Sequence, residues 1–479
     1  MSFVYTIRRS LSLIEEYPEE WLAHTPGKYI NIFPGYIKKS KIKKGLLWSI
    51  LSIFKIIFNN FRLIRKCQHD GDLLVLSHTS NQVRAIKEVV YSLKKEGVKV
   101  DHCCLDYNAF SYLNNNNIKY TKITFSTIDI MCFVILLIAK GPSLYSRLLC
   151  SDSSKLKLDN YYLFIQAYLF VPYFIGLINS SNYKGVILTN DHTAICRSSL
   201  FSAKSEKILT FYIQHAAVSD FFPPIEFDCA LLDGRNSYEA YIKIQNKNKK
   251  RKVYNFKSLL IGMQNSRKMY AQKGIKTKKN VSIGIALKGD HENLDNIFRL
   301  INNLTTEKHK VFIRTHPKTK REYLELLKRR VSSTKGHVVI GEVDQTIEAF
   351  LYSIDCLIAG DSSIILESCI FGLPVFYSSQ FSDFYNDYYG FSKSGLVKDI
   401  DSLLKNIRIK EILENLDFYK SDSGVLSYYN SSSGTRWIGK EALVASKIIT
   451  SSIYNNSGFI DKNFSLFSGY KDVYIYKRG

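Results

Sequence analysis

The stretch DLLVLSHTSNQVRAIKEVVYSLKKEGVKVDHCCLDY, Asp72 to Tyr107, decides the fold class. Leu73 to Leu76 is a short apolar run, suited to a strand buried on both faces of a parallel sheet. Ser77 to Asn81 is a polar turn. Apolar residues then recur at helical spacing through Val83, Ile86, Val89, Val90 and Leu93. Gly97 is placed to end that helix, and VKVDHCCL supplies the next strand. This is a β-α-β unit, which predicts a mostly parallel sheet.

The same rhythm continues on both sides of a basic polar run, KIQNKNKKRK, from Lys243 to Lys252. Before it, YKGVILTNDHTAICRSSLFSAKSEKILTFYIQH and FDCALLDG read as strand-turn-helix units. After it, VSIGIAL, KVFIR, HVVIG, DCLIAG and PVFY read as strands separated by helical segments. Two doubly wound, Rossmann-like α/β domains facing a cleft are therefore expected. The expected division is residues 1–260, residues 261–455 and a Ser/Asn/Tyr-rich tail at 456–479.

The chain has 479 residues and a formal net charge of +23, with 46% hydrophobic and 23% charged residues. That balance excludes disorder for most of the chain, and 25 Gly with 9 Pro exclude collagen-like sequence. The positive excess implies a polyanion, an anionic membrane surface or a phosphorylated substrate. Nine cysteines without a C-x-x-C pair read as reduced thiols of a cytosolic protein. No secretory signal opens the sequence. Gly45 to Lys66 reads equally as a core helix or as a basic amphipathic helix lying on a membrane surface. Ile128 to Lys140 is too short to span a bilayer, and Tyr161 to Ile178 carries Gln166 and Pro172. Both read as buried core helices.

Four places carry candidate chemistry. In IAGDSSIILESCIFGLPV a strand ends at Gly360, and Ser362 and Ser363 sit where free backbone N–H groups of a new helix would meet an anion. Glu367, one turn on, can accept hydrogen bonds from ribose hydroxyls; capping serines and a surface Glu are the plainer alternative. In VFIRTHPK a strand delivers Arg314 and His316 to its C-terminal end, and Pro317 keeps His316 out of helical space. In the first half, Asp191 ends one strand of the LTNDHT segment, beside His192, and His215 ends the next. A carboxylate and an imidazole brought together there suit general-base work on an acceptor hydroxyl. Gly289, after the first strand of the second half, reads as a plain turn, or as a place where a phosphate or base approaches the backbone. The absence of G-x-G-x-x-G and G-x-x-x-x-G-K-[ST] argues against dinucleotide and P-loop chemistry.

Together, RTHPK, GDSSIILES and FGLPV resemble the GT-B glycosyltransferases. More narrowly, they resemble bacterial sialyltransferase-like enzymes and the related capsule and lipopolysaccharide transferases. CDP-glycerol glycerophosphotransferases are similar in the same places. The resemblance spans Asp72 to Val375 and implies a nucleotide-sugar-dependent transferase that moves a CMP-activated nonulosonic or ulosonic acid onto a bacterial surface glycan. It implies that His316 meets the leaving CMP phosphate, that Ser362 and Ser363 hold it, and that Glu367 takes the ribose. It also implies a nucleotide-sugar co-substrate, no cofactor and no metal. The sequence departs from the pattern in two ways. Ala216 follows His215 where Gly is usual, and the acidic base motif of some sialyltransferases is missing, so Asp191 is its substitute. A CDP-glycerol-type transferase, an epimerase of the same architecture and a non-catalytic anionic-surface protein remain as alternatives. The expected location is cytoplasmic or peripheral on the inner membrane face, with a glycan or lipid-linked acceptor and no nucleic-acid partner.

Overall fold

A computed structural model of the chain describes residues 3–24, 46–63, 70–105, 107–151, 154–218, 222–247, 257–264, 281–287, 294–305, 309–316, 319–334, 336–342, 345–381, 387–468 and 472–477. Gly289, Pro317, Lys318 and the KNKKRK run after Lys247 lie outside the described residues.

The first sheet contains β1 (Leu73–Ser77), β2 (Val100–Cys104), β3 (Thr121–Lys122), β4 (Gly185–Leu188), β5 (Leu209–Ile213), β6 (Cys229–Leu232) and β7 (Lys257–Leu260). The second contains β8 (Ser282–Ala286), β9 (Lys310–Arg314), β10 (His337–Ile340), β11 (Cys356–Ala359), β12 (Val375–Tyr377) and β13 (Lys398–Asp399). Two late strands, β14 (Phe464–Leu466) and β15 (Val473–Tyr476), extend the first sheet. The orders are β14-β15-β7-β6-β5-β4-β1-β2-β3 and β10-β9-β8-β11-β12-β13. All pairings within each sheet are parallel except β14 with β15.

Burial on both faces explains why the strands read as continuous apolar runs. Leu73 and Val75 of β1 face one core with Ile86, Val89 and Leu93 of the helix Ser80–Lys95. Leu74 and Leu76 face the other, beneath the helices Tyr161–Asn179 and Ala194–Ser205. Thr79 caps the helix Ser80–Lys95 by accepting from the Gln82 N–H, and Gly97, at φ +81°, follows its end. The second sheet repeats the scheme, with Ile283 and Ile285 against the helix Leu294–Thr305, and Leu357 and Ala359 against the helix Ile364–Ile370.

The expected tail is not an appendage. β15 lies parallel to β7, and the helix Glu441–Ile453 covers the same face of the first sheet as the helix Ser80–Lys95. The chain thus crosses to the second sheet after β7 and returns near Asn430. The two crossings are joined, because the Met263 N–H donates to Asn430 Oδ1 at 2.8 Å. Gly262 is at φ +94°, and a Cβ there would lie 2.5 Å from Ser432 Oγ. Only glycine fits so close an approach. The first domain therefore ends with residues from both termini, and the division at 455 is displaced to about residue 430.

The membrane-test segments also separate. The helix Tyr161–Asn179 is buried around its whole girth. The helix expected over Ile128 to Lys140 runs instead from Thr127 to Leu149, and only one side of it is core. Asp129, Cys132, Phe133 and Leu136 are buried, whereas Ile128, Met131 and Ile135 are exposed.

Candidate active site at two sheet edges

Ligands in open α/β sheets bind beyond the C-terminal strand ends, where the strand order reverses. In the first sheet that point lies between β1 and β4, and in the second between β8 and β11. Asn190, Asp191 and His192 follow β4, while Asp361, Ser362 and Ser363 follow β11. His215 follows β5, next to β4, and His316 follows β9, on the other side of β8. Ala217, two residues past His215, packs against the second domain's core, which holds Ala359 and Ile364, and Arg84, on the first domain's helix Ser80–Lys95, is near enough to Arg314 and Glu367 to act on both charges. The two edges therefore face each other.

At the first edge, Asp191 is buried and both of its carboxylate oxygens are engaged. His192 Nδ1 lies 2.7 Å from Oδ1, and the Tyr241 hydroxyl donates to Oδ2 at 2.7 Å. Asn190 Oδ1 accepts the backbone N–H groups of His192 and Thr193, which fixes the turn. The Asn190 amide nitrogen lies 3.2 Å from His192 Nε2. These partners assign Nδ1–H as donor to Asp191 and Nε2 as acceptor. Burial alone would push the Asp191 carboxyl up. The bond to His192, the Tyr241 hydroxyl and the Arg197 charge outweigh it and hold the carboxyl below its usual range.

Arg197 braces this turn from within the core. Its guanidinium donates to the Asp191 carbonyl at 3.1 Å, to the Trp21 carbonyl at 2.7 Å and to Glu226 at 2.8 Å. Arg197 and Glu226 are both almost fully buried, so removing either would strand the other charge.

His215 is brought close to this pair, as the adjacent strands require. Burial, and then the neighbouring His192, push it down to about 4, so it is neutral. Its Nδ1 is buried with no hydrogen-bond partner among the described residues. The preceding Gln214 pins the turn, accepting from the Asp233 N–H and donating to the Ala216 carbonyl, both at 2.9 Å.

At the second edge, Gly360 lets the chain pass Phe381, whose carbonyl oxygen would lie 2.1 Å from an added Cβ. Asp361 is buried and accepts the Tyr388 N–H, so it is a turn-holding residue. Ser362 and Ser363 are partly exposed. The Ser363 hydroxyl donates to Glu367 Oε1 at 3.4 Å, while Glu367 Oε2 is buried without a partner among the described residues. Burial pushes Glu367 up to about 7, against the opposing pull of Ser363 and the nearby Arg314 and Arg84 charges. Arg314 donates to the Gln345 carbonyl at 2.7 Å and lies over the Phe350 ring. Its own burial lowers its pKa. His316 is half-buried, and its carbonyl accepts the Thr319 N–H at 2.9 Å. Among the described residues no cluster of His, Cys, Asp or Glu could hold a metal ion.

Asp191, His215, Arg314, His316, Ser362, Ser363 and Glu367 thus all lie at the facing strand ends. His192 stands in the same segment without a local mark, because nothing in the sequence says that Asp191 is saturated while its neighbour reaches the surface. Tyr241 and Arg84 come from distant helices and carry no local signal, and Arg197, six residues past Asp191, carries none because its partners Trp21 and Glu226 lie far away in sequence.

No curated protein sequence matches the chain. Among solved structures, UDP-GlcNAc 2-epimerase from Neisseria meningitidis bound to UDP-GlcNAc is 13% identical, with 80% of this chain and 100% of that chain covered at a TM-score of 0.52. Acinetobacter baumannii MurG is 11% identical, with 79% and 99% covered at a TM-score of 0.42. The likeness to the epimerase gives the fold, two α/β domains of the GT-B kind. The family model described as alpha-2,8-polysialyltransferase (POLYST) matches residues 34–380, well over half of the chain, and spans the Asp191–His192, His316 and Ser362–Ser363 positions. The chain therefore belongs to the alpha-2,8-polysialyltransferase family and is a nucleotide-sugar-dependent glycosyltransferase.

Proposed function

We propose that the protein transfers a sialic-acid-like sugar from a CMP-activated donor onto a surface glycan in the cytoplasm, and that His192, oriented by Asp191, is the base. The acceptor hydroxyl would take the place of the Asn190 amide at Nε2 and give its proton to the ring. Its oxygen forms the bond to the anomeric carbon as the bond to the CMP phosphate breaks, the electron pair leaving on the phosphate oxygen. Asp191 stabilises the imidazolium and fixes its tautomer, as the carboxylate of a hydrolase triad does. His316, Ser362 and Ser363 receive the leaving phosphate, with Arg314 supplying positive charge, and Glu367 takes the ribose. Gly289 and Pro317 keep their proposed roles in shaping the donor side.

One observation carries this reading. The His-Pro histidine and the Ser-Ser pair, far apart in sequence, end the two strands that flank β8, opposite the Asp191–His192 pair. A thermal-shift panel of CMP, CDP, UDP, GDP and ADP tests the donor, because a ligand that binds only the folded state raises its melting temperature. Selective stabilisation by CMP is expected. Selective stabilisation by UDP or GDP would overturn the choice of donor, and CDP would point to glycerophosphate transfer.

A further inference from the structure

Two helices on the outer layer of the first domain turn apolar residues toward solvent. The helix Leu46–Asn59 buries Ser49, Ile53 and Ile57 on its inner side, packing against the helix Tyr161–Asn179. Its outer side exposes Leu47, Leu51, Phe54 and Phe58, with Leu47 72% and Phe58 85% accessible. Their spacing of four, three and four residues makes one stripe. The helix Thr127–Leu149 does the same. Ile128, Met131, Ile135 and Ile138 form an exposed stripe, Ile138 being 71% accessible, and Tyr145 and Leu149 continue it.

The two elements are neighbours. Phe54 and Phe133 meet edge to face with centroids 6.1 Å apart. The Arg62 N–H donates to the Phe125 carbonyl at 2.9 Å, and Thr127 Oγ1 donates to the Leu63 carbonyl at 3.4 Å. An apolar face of this extent on a folded protein marks a contact surface.

The charge around it selects the contact. Lys55 and Arg62 are exposed beside the first stripe. Asp129, the one acid within Leu46–Leu63 and Thr127–Leu149, is buried in a capping box with Ser126. In the sequence no Asp or Glu occurs between Glu20 and Asp70, a run that holds ten Lys and Arg. Apolar side chains rimmed by basic ones suit a surface of acyl chains beneath anionic headgroups. The helix Leu46–Asn59 has 14 residues, short of the ~20 needed to cross. The helix Thr127–Leu149 is long enough, but its inner side is packed against the helix Tyr161–Asn179. We propose that this face lies in the interface of an anionic lipid bilayer, with Leu47, Phe58, Met131 and Ile138 inserted and Lys55 and Arg62 at the headgroups.

Co-sedimentation of the full chain with vesicles tests this, comparing phosphatidylcholine alone with phosphatidylcholine mixed with phosphatidylglycerol. Binding to the mixed vesicles, weakened by salt, is expected. Leu47→Glu/Phe58→Glu and Met131→Glu/Ile138→Glu should each weaken binding by about tenfold or more. Lys55→Glu/Arg62→Glu should lose the preference for the anionic vesicles. Stabilisation by CMP, measured on the same variants, confirms that each remains folded. In the unmodified chain, brominated acyl chains should quench a component of emission that is absent from Trp48→Phe. Failure to bind mixed vesicles, or full binding by both apolar double variants, would overturn the proposal. So would a dimer of this chain that the same substitutions dissociate while vesicles remain unbound.

Discussion

At the edge of the first sheet both carboxylate oxygens of Asp191 are engaged, whereas at the edge of the second Glu367 keeps a buried oxygen with no partner among the described residues. The first carboxyl is held below its usual range, and the second is pushed up to about 7. Both follow a parallel strand, Asp191 buried and Glu367 partly so. What differs is the supply of donors. Asp191 has an imidazole, a tyrosine hydroxyl and a nearby guanidinium; Glu367 has one serine hydroxyl at 3.4 Å and more distant positive charge. A saturated carboxylate is a finished positioning device, while an unsaturated one at a cleft is a candidate for ligand contact.

The difference can be broken first at its saturated end. His192→Ala should lower the transfer rate by about 10²–10⁴-fold with CMP stabilisation unchanged, as loss of a general base does. Asp191→Asn should approach the same loss while keeping the shape of the turn. His215→Ala should cost far less, because burial leaves His215 a weak base and its neighbour already has the carboxylate. Equal losses in the His192 and His215 variants would move the base to a shared site.

On the donor side, His316→Ala should lower transfer by about 10²–10³-fold and also reduce the CMP-induced shift. That pairing distinguishes it from the His192 variant, which should leave the shift intact.

Glu367→Gln tests the unsaturated end through pH. Glu367 keeps its proton up to about 7 in the folded chain, against 4.5 unfolded, so its stabilising share is lost as pH rises across that window. The variant should gain on the order of 1–2 kcal/mol over the parent above pH 7, and little at pH 5, after allowance for partial exposure. Chemical denaturation at the two pH values reads this directly.

A further effect falls on the acid limb of stability. His102 and His215 are both pushed down to about 4 by burial, so the unfolded chain takes up protons between 6.5 and 4 that the folded chain refuses. Stability should fall as pH falls through that window, and His102→Asn should flatten the fall.

Much of this was legible before any tertiary information. Leu73 to Leu76 and Cys356 to Ala359 are buried along their whole length, so the sequence had only one way to place them, and the turns after them carried the polar residues. DVYIYK near the C-terminus is rich in β-branched and aromatic side chains, which suits a strand, but its sheet partner, β7, lies more than two hundred residues earlier, so nothing local places it. The helix Thr127–Leu149 is hard to read for another reason. Its core side and its solvent side are both apolar, and hydropathy does not distinguish a side facing protein from one facing solvent.

The sequence by itself determined two parallel α/β sheets and the strand ends that carry Asp191, His215, His316 and Ser362–Ser363. Local spacing dictates strands, turns and helices, and strand ends are where such sheets expose chemistry. Only the tertiary structure decided which member of the Asp191–His192 pair reaches the cleft, that Tyr241 and Arg197 complete its setting, and that the C-terminal strand returns to the first sheet. Those outcomes depend on which distant residue supplies the hydrogen bond or the charge.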